Sequence, residues 1–390
     1  MKTLDSLRTL NPLRWSLAAL MALSLLACGG DGDDPPASAS TTTTLSATLS
    51  GDQEVVQTAT GATGTGSLSM ELPSRAINGS FSSNGTAFAE AHIHQGEVGL
   101  NGPIIVPLAE TPAGSGTWAV PPGTTLTETQ AAAFSAGGLY FNAHSAAFPA
   151  GEIRGQIGRE VFSAQMSGAQ EVPATASAAT GAAFVSLDPS TKKFSARVTL
   201  TGLAAVAAHI HPGAVGVNGP VLFPLTQTTA SSGVWVSAPD AVLTDAQIDT
   251  LQAGGFYFNA HSAAFPGGEI RGQIGRNLRF ASLAGTQEVP ANTSAASGTG
   301  SLLVNPQTRA ISGGIALTGL AATAAHIHLA AVGVNGPIIV GLSDAGGGVW
   351  SVPPGAVLTA DQLKAFKQGN LYFNAHTPAF PGGEIRGQIL

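Results

Sequence analysis

The stretch FSARVTL, residues 194–200, decides the fold class of this chain. Its apolar residues, from Phe194 to Leu200, alternate with polar ones, which is the period of a strand with one face in a core. The stretch SLSMEL, residues 67–72, alternates in the same way. Turn-forming residues such as DPSTKK, residues 188–193, lie between such stretches and fit hairpin turns. The sequence therefore predicts an all-β protein built from short antiparallel strands.

The same series of motifs occurs three times along the chain. The motif Gln-Glu-Val recurs at residues 53–55, 170–172 and 287–289, and its glutamates are 117 residues apart each time. The motif GEIRGQI closes each repeat, beginning at Gly151, Gly268 and Gly383. A period near 115 residues is the size of an independent domain. We therefore expect three tandem domains at residues 43–158, 159–276 and 277–390, with short joins between them.

One short helix is expected in each domain. Thr127 lies three residues before Gln130, which is the spacing of a capping box, and the pattern ends at Gly137. The same spacing begins at Thr244 and Thr359. Several strands with one helix favour an antiparallel β-sandwich of the Ig-like, Greek-key type, and a closed barrel is the alternative.

The beginning of the chain predicts export and lipid attachment. The apolar stretch from Ser16 to Leu26 follows positive residues and is too short to span a bilayer. The residues running into Cys28 resemble a bacterial lipobox, and Cys28 is the only cysteine. We expect a lipoprotein signal peptide at 1–27, lipidation of Cys28 and a flexible tether at 28–42. Gly29 follows Cys28 directly and, by resemblance to diderm lipoproteins, favours the outer membrane. The alternative to the lipobox is an ordinary signal peptide with a chance cysteine.

Two histidines one residue apart recur in AHIHQGEVGLNGP, AHIHPGAVGVNGP and AHIHLAAVGVNGP, which begin at Ala91, Ala208 and Ala325. On a strand the two side chains share a face, and a third histidine follows in the motif Phe-Asn-Ala-His. Three neutral imidazoles suit Zn²⁺ or Cu²⁺. The candidate metal ligands are His92, His94 and His144 in the first domain, His209, His211 and His261 in the second, and His326, His328 and His376 in the third.

A buried hydrogen-bond network is the explanation that the sequence favours for these histidines, ahead of the metal site and of a ligand-binding or catalytic site without metal. Its further members would be polar residues that alternate with apolar ones on neighbouring strands, with glutamate and arginine neutralising each other beside the Gly-Asn-Gly-Pro loop. These residues are Asn142, Glu152 and Arg154, then Asn259, Glu269 and Arg271, then Asn374, Glu384 and Arg386. Duplication copies every kind of site, so the recurrence leaves all three explanations open.

The order of these motifs resembles the CHRD domain, a family named after chordin, three times over residues 43–390. The resemblance implies an extracytoplasmic, non-enzymatic module. It does not carry over chordin's protein partners, because bacteria lack that signalling system. We expect a lipid-anchored binding module of the cell envelope whose partner is an unidentified extracytoplasmic protein or small ligand. A Zn- or Cu-binding lipoprotein is the alternative, and a metal-dependent redox enzyme is a remote one.

No catalytic residue and no certain cofactor are predicted. A net charge of −7 with 16 lysines and arginines lacks the basic surface of a nucleic-acid-binding protein.

Overall fold

The computed structural model describes residues 40–84, 87–239, 241–275 and 277–390. The signal peptide, Cys28 and most of the tether lie outside the described residues. Thr41 and Thr42, which the sequence assigns to the tether, already belong to the first strand. In the described part of the chain, no helix has both the length and the apolar character needed to cross a membrane.

Each repeat folds into short strands and one helix. The first contains β1 (Thr41–Ser50), β2 (Thr63–Leu72), β3 (Ile77–Asn84), β4 (Glu90–Gln95), β5 (Ile104–Pro107), β6 (Ala109–Glu110), β7 (Thr117–Ala119), α1 (Glu128–Ser135), β8 (Leu139–His144) and β9 (Ile153–Gln156). The second contains β10 (Glu160–Ser167), β11 (Thr180–Leu187), β12 (Phe194–Thr201), β13 (Ala207–Pro212), β14 (Phe223–Gln227), β15 (Val234–Ser237), α2 (Asp245–Gln252), β16 (Phe256–His261) and β17 (Ile270–Gln273).

The third repeat contains β18 (Asn277–Ala284), β19 (Ser297–Val304), β20 (Ile311–Thr318), β21 (Ala324–Leu329), β22 (Ile338–Gly341), β23 (Ser343–Gly346), β24 (Val349–Ser351), α3 (Ala360–Lys367), β25 (Leu371–Thr377) and β26 (Phe380–Gln388). A single 3₁₀ turn follows the first strand of every repeat, at Gly51–Gln53, Gly168–Gln170 and Gly285–Gln287. The all-β class with three repeated units is thus confirmed.

The strands of each repeat form one continuous sheet, which corrects the expectation of a two-sheet sandwich. In the second repeat the order β10-β11-β12-β15-β14-β13-β16-β17 closes into a barrel. In the first repeat β5 and β6 form the two edges of a nine-stranded sheet, yet only Leu108 separates them. The two edges therefore meet, and the sheet has the curled shape of the barrel. Strand alternation alone does not distinguish the two architectures, because both bury one face of every strand.

The apolar side chains line the interior of each barrel. Along β12 burial alternates residue by residue, as FSARVTL predicts, and Val198 is fully buried. The three helices have the expected capping boxes: the Thr127, Thr244 and Thr359 side chains each accept from the backbone N–H of a glutamine three residues on. Helix α1 ends at Ser135, just before Gly137 with its positive φ of 71°.

The first and third repeats are joined by a buried ion pair. Lys367 Nζ lies 2.8 Å from Asp52 Oδ2, with side chains only 8% and 3% exposed, and Asn277 donates to the other carboxylate oxygen over 3.1 Å. All three repeats line a cavity of about 560 Å³ beside this pair. The repeats therefore pack around a shared centre.

Candidate metal centre

The pairing of two antiparallel strands brings the three predicted histidines of each repeat together. In the second repeat β13 pairs with β16 so that His209 is opposite Asn259 and Ala207 is opposite His261. His209 and His211 share one face of β13, and His261 reaches the same face from β16. One ring nitrogen of each histidine lies within 4.8 Å of the other two, and the same holds in the first and third repeats.

The closest nitrogens have the separation of two ligands on one metal ion. His209 Nδ1 lies 3.1 Å from His261 Nε2, and the corresponding distances are 3.4 Å in the first repeat and 3.1 Å in the third. Two nitrogens that bind one tetrahedral Zn²⁺ at its usual bond length lie about 3.3 Å apart.

Backbone carbonyls fix the tautomer of two histidines in every cluster. His211 Nδ1 contacts the Gly219 carbonyl over 3.0 Å, and His261 Nδ1 contacts the Pro266 carbonyl over 3.1 Å. A carbonyl oxygen only accepts, so each Nδ1 carries the hydrogen and each Nε2 keeps its lone pair. Metal-binding histidines in proteins are commonly oriented in this way. Equivalent bonds hold His94, His144, His328 and His376.

One nitrogen in every cluster is buried without a hydrogen bond. Among the described residues, the Nε2 atoms of His94, His211 and His328 have no partner. An unsatisfied buried polar atom costs about 1–3 kcal/mol. The same cost recurs in all three repeats. In each, the unpartnered Nε2 is the ring nitrogen with the lone pair, because Nδ1 donates its hydrogen to a carbonyl. A metal ion is one partner that would satisfy this atom.

Burial favours the neutral form of seven of the clustered imidazoles. Desolvation, followed by the charge of the neighbouring imidazole, lowers the pKa of His209 below its usual value, and desolvation is also the largest cause for His211 and His261. The pKa values of His92, His94, His326 and His328 are lowered with the same leading cause. The neutral form is the one that binds metal.

A stack of three side chains holds the second histidine of each pair. The Arg271 guanidinium lies 3.5 Å from the centre of the Tyr257 ring, and the other face of the tyrosine side chain stacks on His211 with ring centres 5.0 Å apart. The Tyr257 hydroxyl accepts from the Gly219 N–H over 3.0 Å. The backbone of Gly219 is thereby held at both its N–H and its carbonyl. The other stacks are Arg154–Tyr140–His94 and Arg386–Tyr372–His328.

Only glycine fits between the asparagine and the proline of the Gly-Asn-Gly-Pro loop, which is Gly-Val-Asn-Gly-Pro at residues 216–220. A Cβ atom added to Gly219 would lie 1.7 Å from the carbonyl oxygen of Pro212, far inside any allowed contact. Gly102 and Gly336 are equally crowded, at 1.7 Å and 1.9 Å from Gln95 and Leu329. The loop therefore approaches the histidine strand closely enough for its carbonyl to fix the ring.

Glutamate and arginine of the closing strand have separate partners. Glu269 accepts from Ser177 Oγ over 2.7 Å and from Ser262 Oγ. Arg271 donates to the Ala214 carbonyl over 2.8 Å as well as lying on Tyr257. The mutual neutralisation that the sequence suggests is therefore not the arrangement that fixes these two side chains.

The sequence analysis missed the glutamate of the Gln-Glu-Val motif as a site residue. Glu54 is buried and accepts from Asn142 Nδ2 over 2.6 Å. Burial raises the pKa of Glu54 to about 7, against the opposing effects of Asn142 and the charge of Arg154. Burial also raises the pKa values of Glu171 and Glu288. The recurrence of this motif in all three repeats is a signal that could have identified the glutamate, but the sequence analysis uses it only to measure the length of the repeat.

Comparison with known proteins gives one match. The family model described as CHRD domain matches residues 45–157, 162–274 and 279–389. Searches of curated proteins and of solved structures found no match to this chain. The matched segments cover most of the chain and coincide with the three folded repeats. The chain therefore belongs to the CHRD family and carries three tandem CHRD domains.

Proposed function

We propose that this protein is a metal-binding lipoprotein of the cell envelope, with one Zn²⁺ or Cu²⁺ site in each CHRD domain. The observation that carries the proposal is the buried Nε2 atom without a partner, repeated at His94, His211 and His328. A metal ligand requires the lone pair that this atom keeps.

The chemistry of the donors supports a transition metal. Every candidate ligand is an imidazole nitrogen, which suits Zn²⁺ and Cu²⁺ better than Ca²⁺ or Mg²⁺. Three protein ligands leave at least one coordination position for water or for a donor from a partner. In this proposal an extracytoplasmic protein or small ligand completes the coordination of the metal, so that the metal site is also the site that binds the partner. Carbonyl contacts to two histidines of each cluster supply the orienting interactions.

Attachment through Cys28 places the sites outside the cytoplasm in this proposal. Its support is the sequence alone: an apolar stretch ending in the only cysteine of the chain. Outer-membrane location rests on Gly29 in the same way.

The test is the metal stoichiometry of the full chain, purified without a histidine tag. Protein stripped with a chelator is titrated with Zn²⁺ and with Cu²⁺ by calorimetry, and bound metal is then measured by elemental analysis. We expect about three ions per chain, one for each cluster.

His209→Gln should remove one of these ions, while Gln247→Ala, which changes only the cap of α2, should remove none. Circular dichroism confirms that both variants are folded. Full-length folded protein that binds no metal at micromolar concentration would overturn the proposal in favour of a structural network.

A further inference from the structure

One carboxylate distinguishes the first cluster from the other two. Glu90 lies two residues before His92 on β4 and is opposite His144 on β8. Its Oε2 atom is 3.9 Å from His92 Nε2. Alanine stands at the equivalent positions, Ala207 and Ala324. The three sites are therefore chemically different although their histidines are the same.

Glu90 faces the ring nitrogen of His92 that points away from the cluster. Within the cluster, Nδ1 of His92 faces Nε2 of His144, and the other ring nitrogen of His92, its Nε2, faces the carboxylate of Glu90. A carboxylate attracts the N–H of a neutral imidazole. Glu90 thus favours the tautomer with hydrogen on Nε2 and the lone pair on Nδ1, which is the tautomer that binds metal through Nδ1.

The distances between histidines agree with this tautomer. His92 Nδ1 and His144 Nε2 are 3.4 Å apart, whereas the equivalent atoms in the second and third repeats are 3.1 Å apart. All three spacings are compatible both with an N–H donated to a lone pair and with two lone pairs that face one ion, so it is the carboxylate that distinguishes the first repeat. Where alanine replaces Glu90, His209 Nδ1 must give up its hydrogen to bind metal.

We infer that the first CHRD domain holds the tightest metal site and fills before the other two, with Glu90 as the positioning residue. This inference rests on the proposed metal-binding function. A carboxylate that accepts from a metal-binding histidine contributes about tenfold to hundredfold in affinity. Glu90 lies 3.9 Å from His92 and its side chain is 61% exposed, so it acts through its charge rather than through a hydrogen bond, and we expect a difference of up to about tenfold between the sites. At limiting metal the protein then carries one ion, in the first domain.

The experiment is a Zn²⁺ titration of the full chain against a chromophoric chelator, which resolves tight and weaker sites by their number. Wild-type protein is expected to show one tight and two weaker sites. Glu90→Gln should convert the tight site to a weaker one, with a loss of up to about tenfold in affinity. Glu128→Gln is the control, because it removes the same charge from an exposed position on α1.

The reciprocal variant Ala207→Glu should produce a second tight site, a gain that a purely structural role for Glu90 does not predict. Circular dichroism and unfolding midpoints confirm that each variant is folded. Three equal sites in wild type, unchanged by either substitution at the Glu90 position or its equivalent, would overturn the inference and leave the proposed function standing. A folded protein that binds no Zn²⁺ would overturn both.

Discussion

Replacing Gly219 by alanine should destabilise the second domain and abolish its metal site together. The added Cβ would lie 1.7 Å from the Pro212 carbonyl oxygen, so the loop must move. That movement breaks two hydrogen bonds, from the Gly219 N–H to Tyr257 and from His211 Nδ1 to the Gly219 carbonyl, both 3.0 Å long. Each is worth about 1 kcal/mol, and overpacking adds about 1–3 kcal/mol. We expect a total loss of about 3–5 kcal/mol.

Hydrogen exchange followed by mass spectrometry measures this loss of stability separately in each domain. The first and third domains serve as internal references for the second. A loss of about 3 kcal/mol or more accelerates exchange in β13 and β16 by at least about a hundredfold. Gly267→Ala is the matched control, because nothing lies within 4 Å of its added Cβ and the first repeat already has Ala150 there. Equal exchange in the two variants would refute the role that we assign to the loop.

Three further predictions concern the anchor, the domains and pH. Cys28→Ser should abolish lipid labelling and release the protein from membranes; unchanged fractionation would contradict lipid anchoring. Residues 159–276 should unfold cooperatively when expressed alone, as followed by circular dichroism; a non-cooperative transition would mean that the repeats share one core. Because burial raises the pKa of Glu54 from 4.5 to about 7, its contribution is present below pH 4.5 and is lost as pH rises to about 7. The unfolding free energy of wild type relative to Glu54→Gln should therefore fall by about 3 kcal/mol across that window; parallel profiles would contradict it.

Local patterns were sufficient to predict the strands, the helices and the two histidines that share one strand in each repeat. Alternation in residues 194–200 places side chains on a known face, and capping boxes mark where helices begin. Two histidines on one strand face must be neighbours whatever the fold. The third histidine, about 50 residues away, joins them only through the register of β13 with β16, which the sequence pattern does not specify.

The architecture and the missed glutamates depend on long-range pairing. The barrel of the second repeat closes because β14 pairs with both β13 and β15. Alternation of polar and apolar residues does not indicate whether a strand pairs on one side or on both. Glu54 and Asn142 meet across 88 residues of sequence. Their chemistry arises from burial, which appears only when distant strands have come together.

The contact between Asp52 and Lys367 joins the first repeat of this chain directly to the third. In most tandem arrays each unit meets only its neighbours, so duplication or loss of a unit is tolerated. Here the first unit also meets the last, through charges that neither shares with its copies: the residues equivalent to Asp52 are Ala169 and Thr286. A two-unit chain that ended at residue 276 would lack Lys367, and a fourth unit inserted ahead of the last would have to fit between two surfaces already in contact. Replacing Lys367 alone would leave Asp52 buried without its cation, which is strongly destabilising, so the ion pair couples the stability of the first unit to that of the last.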